Sequence, residues 1–154
     1  HLIESGGGYN RWQGDSAALV GGGFVMAWAD GTVDGSAFGI KAAVYDGDSN
    51  LVTTVLVNTT INGYQVRPAV TALEEGGFVV SWIDGNNGSP YSVRAQAFDA
   101  AGNAVGGELV LDTAVHTDTW LTGNWIDQAA DGTLIAITPG PSTGSYSKHP
   151  TRSN

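Results

Sequence analysis

Apolar residues alternate with small or polar residues along most of the chain, and this period of two is typical of β-strands. Residues 24–28 and 38–44 show the alternation, and residues 78–82 and 91–97 show it again. No apolar set recurs at the 3.6-residue spacing that an amphipathic helix requires. The sequence therefore predicts an all-β fold.

The chain also repeats itself at an interval of about 54 residues. Residues 19–31 recur as 73–85, residues 38–46 recur as 91–99, and a weaker third copy begins at Ala130. We interpret the pattern as two clear repeats and one degenerate repeat in a single domain, each repeat a four-stranded antiparallel meander. The repeats cover about residues 15–62, 67–115 and 121–154.

The alternation also predicts which side chains are buried. Trp28 and Trp82 belong to the repeated apolar pattern, so both are predicted to lie in the core. Lys41 and Arg94 fall on the opposite, wetter face of their strands. After Thr138 the chain is rich in Gly, Pro and Ser. That composition is typical of a flexible tail, unless it completes the third sheet or packs on a neighbouring chain.

Charge and composition exclude several classes of protein. The 154 residues include 15 acidic and 6 basic side chains, for a net charge of −9, which argues against nucleic-acid binding. No apolar run is long enough for membrane insertion as a helix, and we expect no signal peptide in the chain. The absence of cysteine excludes disulfides and thiolate chemistry.

The repeated motifs resemble a known family. Residues 76–82 read Gly-Gly-Phe-Val-Val-Ser-Trp, and residues 95–103 contain Phe-Asp-Ala-Ala-Gly-Asn. This combination resembles the propeller-like repeat of secreted bacterial RTX and adhesin-type proteins. The resemblance implies propeller-like blades, a secreted or cell-surface location, and a binding or spacer role in place of catalysis.

The number of repeats raises the question of how a ring would close. A propeller needs at least four blades, and at about 54 residues for each blade the chain supplies fewer than three. The chain is therefore a piece of a longer array, or it is a homo-oligomer whose copies complete the ring, or its three units pack differently, as in a β-prism or a β-trefoil. A closed dimer would remove exposed sheet edges, which favours the homo-oligomer. The trefoil is disfavoured because its Gln-x-Trp motif is missing.

Acidic loops in the first repeat are candidates for a calcium site. Asp30 and Asp34 lie in one loop, and Asp46 and Asp48 in another, and each pair offers the oxygen ligands that calcium prefers. The alternative is that these residues only form turns. In the second repeat Ala101 replaces Asp48, so a calcium site would be confined to the first repeat.

Three aromatic residues are candidates for ligand binding. Trp12, Tyr64 and Trp120 fall outside the repeated aromatic positions, and exposed aromatic rings in loops can stack on sugars. The alternative is that they cap the ends of the core. The sequence therefore predicts a module that binds a ligand or partner, with a carbohydrate as the first choice.

Two other functions stay open at this point. The first is a structural spacer or self-assembly unit without a ligand of its own. The second is a small hydrolase in which His116 would act with Asp112 and Asp118. No Gly-x-Ser-x-Gly elbow, His-Glu-x-x-His motif or phosphate-binding loop before a helix is present, so we predict that the protein is not an enzyme.

Overall fold

The described residues of the computed structural model, 11–31, 38–85, 91–115, 126–139 and 146–151, form three antiparallel β-sheets and no helix. Sheet A contains β1 (Arg11–Ala18), β2 (Phe24–Asp30), β3 (Gly39–Tyr45) and β4 (Leu51–Leu56) in that order. Sheet B contains β5 (Tyr64–Ala72), β6 (Phe78–Gly85), β7 (Tyr91–Phe98) and β8 (Ala104–Val115). Sheet C contains β9 (Ile126–Gln128), β10 (Leu134–Pro139) and β11 (Tyr146–Thr151).

This architecture confirms the predicted all-β fold, with sheets A and B as four-stranded meanders. Sheet C differs from the prediction, because its described part has three strands in the order β11-β10-β9. The Pro- and Ser-rich segment after Thr138 supplies β11, which pairs with β10 through partners such as Ile137 and Lys148. This strand therefore completes the third sheet, as one of the two sequence-based alternatives proposed.

Glycine is required where the first two strands of each repeat turn. Gly23 and Gly77 have φ angles of +84° and +85°, in the left-handed region that favours glycine. A Cβ at either position would collide with a backbone oxygen of the next hairpin, Tyr45 O or Phe98 O. The repeated Gly-Gly-Phe sequence thus has the same backbone cause in both repeats.

Sheets A and B pack face to face, and the largest apolar cluster lies between them. One face of β2 and β3 contacts one face of β5 and β6. The buried side chains of this interface include Val25, Ala27, Ala29, Ile40 and Val44 from sheet A, and Val70, Phe78, Val80, Trp82 and Phe98 from sheet B. Small side chains from sheet A thus meet large ones from sheet B.

The other face of sheet B packs against sheet C. Val79 and Ala95 form a cluster with Ile126, and Leu134 packs against it. Sheet B is therefore the middle layer, and all eight residues of β6 are buried. The equivalent strand β2 alternates between buried and half-buried positions, because only one of its faces is covered by another described sheet.

Burial corrects two predictions from the sequence. Trp82 is fully buried, as predicted, but Trp28 is only half-buried because it lies on the face of sheet A that no other described sheet covers. The prediction of a wetter face is wrong for Arg94. Its strand neighbour across the ladder is Trp82, so it shares the face that packs against sheet A. Lys41 pairs with Trp28 on the corresponding face of sheet A and is half-buried.

Candidate functional site

One end of the sheet stack gathers the strand ends, the connection from sheet A to sheet B, and several aromatic side chains. At this loop end Asp30 pairs with Gly39, and Tyr64 pairs with Gly85. Trp12 was predicted to lie in a loop, but the structure places it in the edge strand β1, paired with Ala29 close to this end. Tyr64 begins β5 immediately after the connection between the two sheets.

Tyr64 is the most exposed described aromatic residue at this end, with 48% of its surface accessible. Its ring centroid lies 6.0 Å from that of Phe38, and the two rings are tilted by 31°. The backbone fixes this pair, because the two residues form a parallel bridge and Gln65 N donates to Phe38 O at 3.0 Å. The structure thus confirms that Tyr64 is exposed.

Tyr91 adds a third ring to this end. A Cβ on Gly85 would lie 2.5 Å from Tyr91 Cε1, so the tyrosine ring lies directly over this glycine. Gly85 is also the ladder partner of Tyr64. Tyr64 has a ring contact with Phe38, whereas Tyr91 packs against Ala69, Ile83 and Val93 of sheet B. We call these three aromatic residues at the loop end, Phe38, Tyr64 and Tyr91, the aromatic cluster. The sequence prediction missed Phe38 and Tyr91, although their equivalent positions at the start of β3 and β7 are a signal that both strands begin at this end.

A chain of buried polar side chains lies beneath the aromatic cluster. Asn58 Oδ1 accepts a hydrogen bond from Ile40 N at 2.7 Å, and Asn58 Nδ2 donates to Gln65 Oε1 at 3.4 Å. Gln65 Nε2 in turn donates to Asp84 Oδ1 at 3.1 Å. Asn58, Gln65 and Asp84 are each buried, so this chain joins sheet A to sheet B without water contact at these groups.

Arg94 extends the polar chain to the edge of sheet B. Its guanidinium pairs with Asp84 Oδ2 at 2.6 Å and with Glu108 Oε1 at 2.7 Å. Glu108 Oε2 accepts hydrogen bonds from the backbone N–H and the hydroxyl of Thr59, both at 2.8 Å. Thr60 Oγ1 also donates to Glu108, at 3.1 Å. These contacts hold the connection between the sheets against β8.

The burial and the hydrogen-bond partners of Glu108 change its pKa in opposite directions. Burial acts to raise the pKa of Glu108, but the hydrogen bonds from Thr59, Arg94 and Thr60 outweigh burial and lower the pKa below its ordinary value. Both oxygens of Glu108 and both oxygens of Asp84 have hydrogen-bond partners. These carboxylates therefore hold the connection in place, and their lone pairs are already engaged by protein donors.

The candidate calcium residues that the structure describes lie far apart. Asp30 lies at the loop end of β2, whereas Asp46 and Asp48 lie in the hairpin at the opposite end of the β2–β3 pair. Asp30 is buried, and its Oδ2 accepts a hydrogen bond from Trp28 Nε1 at 3.4 Å. Asp34 lies outside the described residues. Within the described ranges no group of three or more His, Asp or Glu side chains could hold a metal ion.

Asp46 forms hydrogen bonds within its own turn. Asp46 Oδ1 accepts from Asp48 N at 2.9 Å and Asn50 N at 2.8 Å, and Oδ2 accepts from Asn50 Nδ2 at 3.1 Å. Hydrogen bonds from the Asn50 backbone and side chain lower the pKa of Asp46. Asp99 has the same contacts, with Ala101 in the place of Asp48. The turn therefore forms without the Asp48 carboxylate.

Trp120 and His116 also lie outside the described residues, so the structure adds nothing to either prediction. No helix of the described residues is long and apolar enough to span a membrane. No protein-family model matches the chain, and neither a curated protein nor a solved structure is significantly similar to it. The functional argument therefore rests on the sheet stack and on the aromatic cluster.

Proposed function

We propose that the chain is a non-enzymatic β-repeat module that binds a carbohydrate at its aromatic cluster. The half-exposed ring of Tyr64 is the observation that carries this proposal. Aromatic rings offer an apolar face and a polar edge, a combination that suits the C–H and hydroxyl groups of a sugar. Because Tyr64 begins a strand, its backbone is held by the sheet before any ligand arrives.

The frame under the cluster supports this role. The buried chain from Asn58 through Gln65 to Asp84 fixes the connection that leads into Tyr64. A site held rigid in this way loses little conformational entropy on binding, so more of the contact energy is available for affinity. Ile61 and Asn62 lie exposed in the same connection and offer an apolar side chain and an amide beside the ring.

The charge of the chain narrows the choice of carbohydrate. A net charge of −9 repels anionic sugars, and only 6 basic residues are present to pair with sulfate or carboxylate groups. We therefore propose a neutral glycan. The secreted or cell-surface location belongs to the same proposal and is supported by the resemblance to bacterial RTX and adhesin repeats.

Calorimetric titration with a panel of neutral oligosaccharides tests the proposal. We expect at least one to bind, and we expect Tyr64→Ala to weaken its binding about fivefold, since ring stacking contributes about 1 kcal/mol. Tyr64→Phe keeps the ring and should bind nearly as well as the original chain. Val20→Ala is the control, because Val20 is 55% exposed in the β1–β2 turn at the opposite end of sheet A. If no oligosaccharide binds, or if Tyr64→Ala binds unchanged, the proposal is wrong.

Self-assembly is the second candidate function, and a different part of the molecule favours it. The face of sheet A that points away from sheet B carries half-buried Phe24, Met26 and Trp28. The equivalent residues of sheet B are fully covered by sheet A. A module with such a face can be extended by another sheet, whether or not it binds a glycan.

A further inference from the structure

The face of sheet A that no other described sheet covers has the same apolar side-chain pattern as a buried interface within the same chain. We call this face the outer face of sheet A. Cross-strand pairing places Ser16, Lys41 and Thr54 on it, together with the following apolar residues: Ala18, Phe24, Met26, Trp28, Ala43, Tyr45, Leu51 and Leu56. Leu51 and Leu56 are 57% and 41% exposed, Phe24, Met26 and Trp28 are half-buried, and Ala43 and Tyr45 are buried.

Sheet B shows what covers such a face. Phe78, Val80 and Trp82 stand in the repeat positions of Phe24, Met26 and Trp28, and sheet A buries all three completely. The ring stacking is also the same in both sheets. Phe24 stacks on its ladder partner Tyr45 at 4.7 Å and 10°, and Phe78 stacks on Phe98 at 5.1 Å and 15°.

From this equivalence we infer that the outer face of sheet A binds sheet C of a second copy of this chain. The interface between sheets A and B is the template, because in it a small-residue face meets the aromatic face of the next repeat. In sheet A, Val25 and Ala27 lie on the small-residue side of this interface. The repeat alignment places Ile135 and Ile137 of β10 at the equivalent positions of sheet C. The second copy would thus continue the stack in the same order.

A second copy of sheet A fits this face poorly. In sheet B, Gly102 occupies a tight position against Thr53 of β4. Its repeat equivalent in sheet A is Ser49, which has a side chain and a φ of +65°. Another sheet A would bring its own Thr53 against this serine, which disfavours the pairing of sheet A with sheet A.

Closure gives the assembly a definite size. Two chains that each place sheet C on the partner's sheet A would join six sheets in one ring, within the range of four to eight blades that propellers use. The same two-fold operation would cover the outer face of sheet A in both copies, which closes the assembly. We therefore expect a dimer and no open polymer.

Light scattering on a sizing column tests this inference across a hundredfold dilution series. The expected mass is twice the chain mass of 15.8 kDa. Met26→Glu and Leu56→Glu each place a carboxylate on the outer face, and both should reduce the mass to that of one chain. Val105→Glu is the matched control, because Val105 is 56% exposed on β8 of sheet B and should leave the dimer intact.

Circular dichroism separates loss of the dimer from loss of the fold. Met26→Glu and Leu56→Glu should keep the β-sheet spectrum of the original chain, with only a lower melting temperature. A single-chain mass for the original chain at every concentration would overturn the inference, and so would a dimer that survives both substitutions. A mass above two chains would contradict the closed ring. None of these residues belongs to the aromatic cluster, so these outcomes are independent of glycan binding.

Discussion

Gly102 of sheet B lies so close to Thr53 of sheet A that a Cβ on the glycine would come within 2.6 Å of Thr53 Cγ2. Gly102 also has a φ of +84°, which disfavours any side chain. The hairpin backbone and the packing of the neighbouring sheet thus each favour glycine at this position. At the equivalent residue Ser49 only the backbone favours glycine, because its hairpin is exposed.

Gly102→Ala should therefore destabilise the fold by more than the backbone penalty alone. We expect a loss of about 2–4 kcal/mol, of which about 1–2 kcal/mol is the cost of the left-handed conformation. Gly76→Ala is the control, because Gly76 has a φ of +94° and no atom within 4 Å of its Cβ position. Urea denaturation of both variants gives the comparison. Equal losses would show that the contact with Thr53 contributes nothing.

Asp15 tests the contact between the first strands of sheets A and B. Val70 N donates to Asp15 Oδ2 at 2.8 Å, next to the irregular pairing of β5 between Val66 and Ala69. Asp15→Ala would leave this backbone N–H without an acceptor and should cost about 1–3 kcal/mol. Asp15→Asn keeps an acceptor oxygen and should cost less than half of that. Thermal unfolding of the two variants decides the point, and equal losses would show that the negative charge is what matters.

The positions of the strands could be predicted from the sequence because local residue patterns determine them. The period-two pattern correctly placed Phe24, Met26 and Trp28 on one face, and the Gly-Gly turns marked the ends of the strands. It could not separate half-buried Trp28 from buried Trp82, because both occupy the same position within their repeats. Only the order of the sheets in the stack decides which of the two is covered.

The same limit applies to the candidate site. Tyr64 could be selected because it stands outside the repeat pattern, whereas Phe38 and Tyr91 resemble ordinary strand residues. The polar chain under the cluster depends on contacts between distant segments, such as Arg94 with Glu108 and Glu108 with Thr59. No local pattern in the sequence encodes which acidic residue an arginine will meet across an interface.

Glu108 gives a prediction for the dependence of stability on pH. Because the pKa of Glu108 is lower in the folded chain than its ordinary value of about 4.5, its ionised form stabilises the fold above that value. This stabilisation is lost as the pH falls through the folded-state pKa. Glu108→Gln should lower the stability by about 1–2 kcal/mol at pH 7 and make it less sensitive to acid.

Melting temperatures of both chains between pH 7 and about pH 3 measure this effect. Other carboxylates, among them Asp46 and Asp99, also have lowered pKa values and contribute equally to both chains. The difference between the two curves therefore isolates Glu108. Parallel curves across the whole range would mean that the contacts of Glu108 with Thr59, Thr60 and Arg94 do not depend on its charge.

Substitutions in the β3–β4 hairpin can distinguish turn formation from calcium binding. Asp46 accepts three hydrogen bonds in its turn, so Asp46→Ala should lower the melting temperature, whereas Asp48→Ala should leave it nearly unchanged. Ala101 already stands in the place of Asp48 in a hairpin with the same hydrogen bonds, which is the reason for this expectation. If both acids bind calcium, adding calcium would raise the melting temperature of the original chain, and Asp48→Ala would abolish the increase. We expect no increase, because the Asp46 carboxylate is already bonded to its own turn.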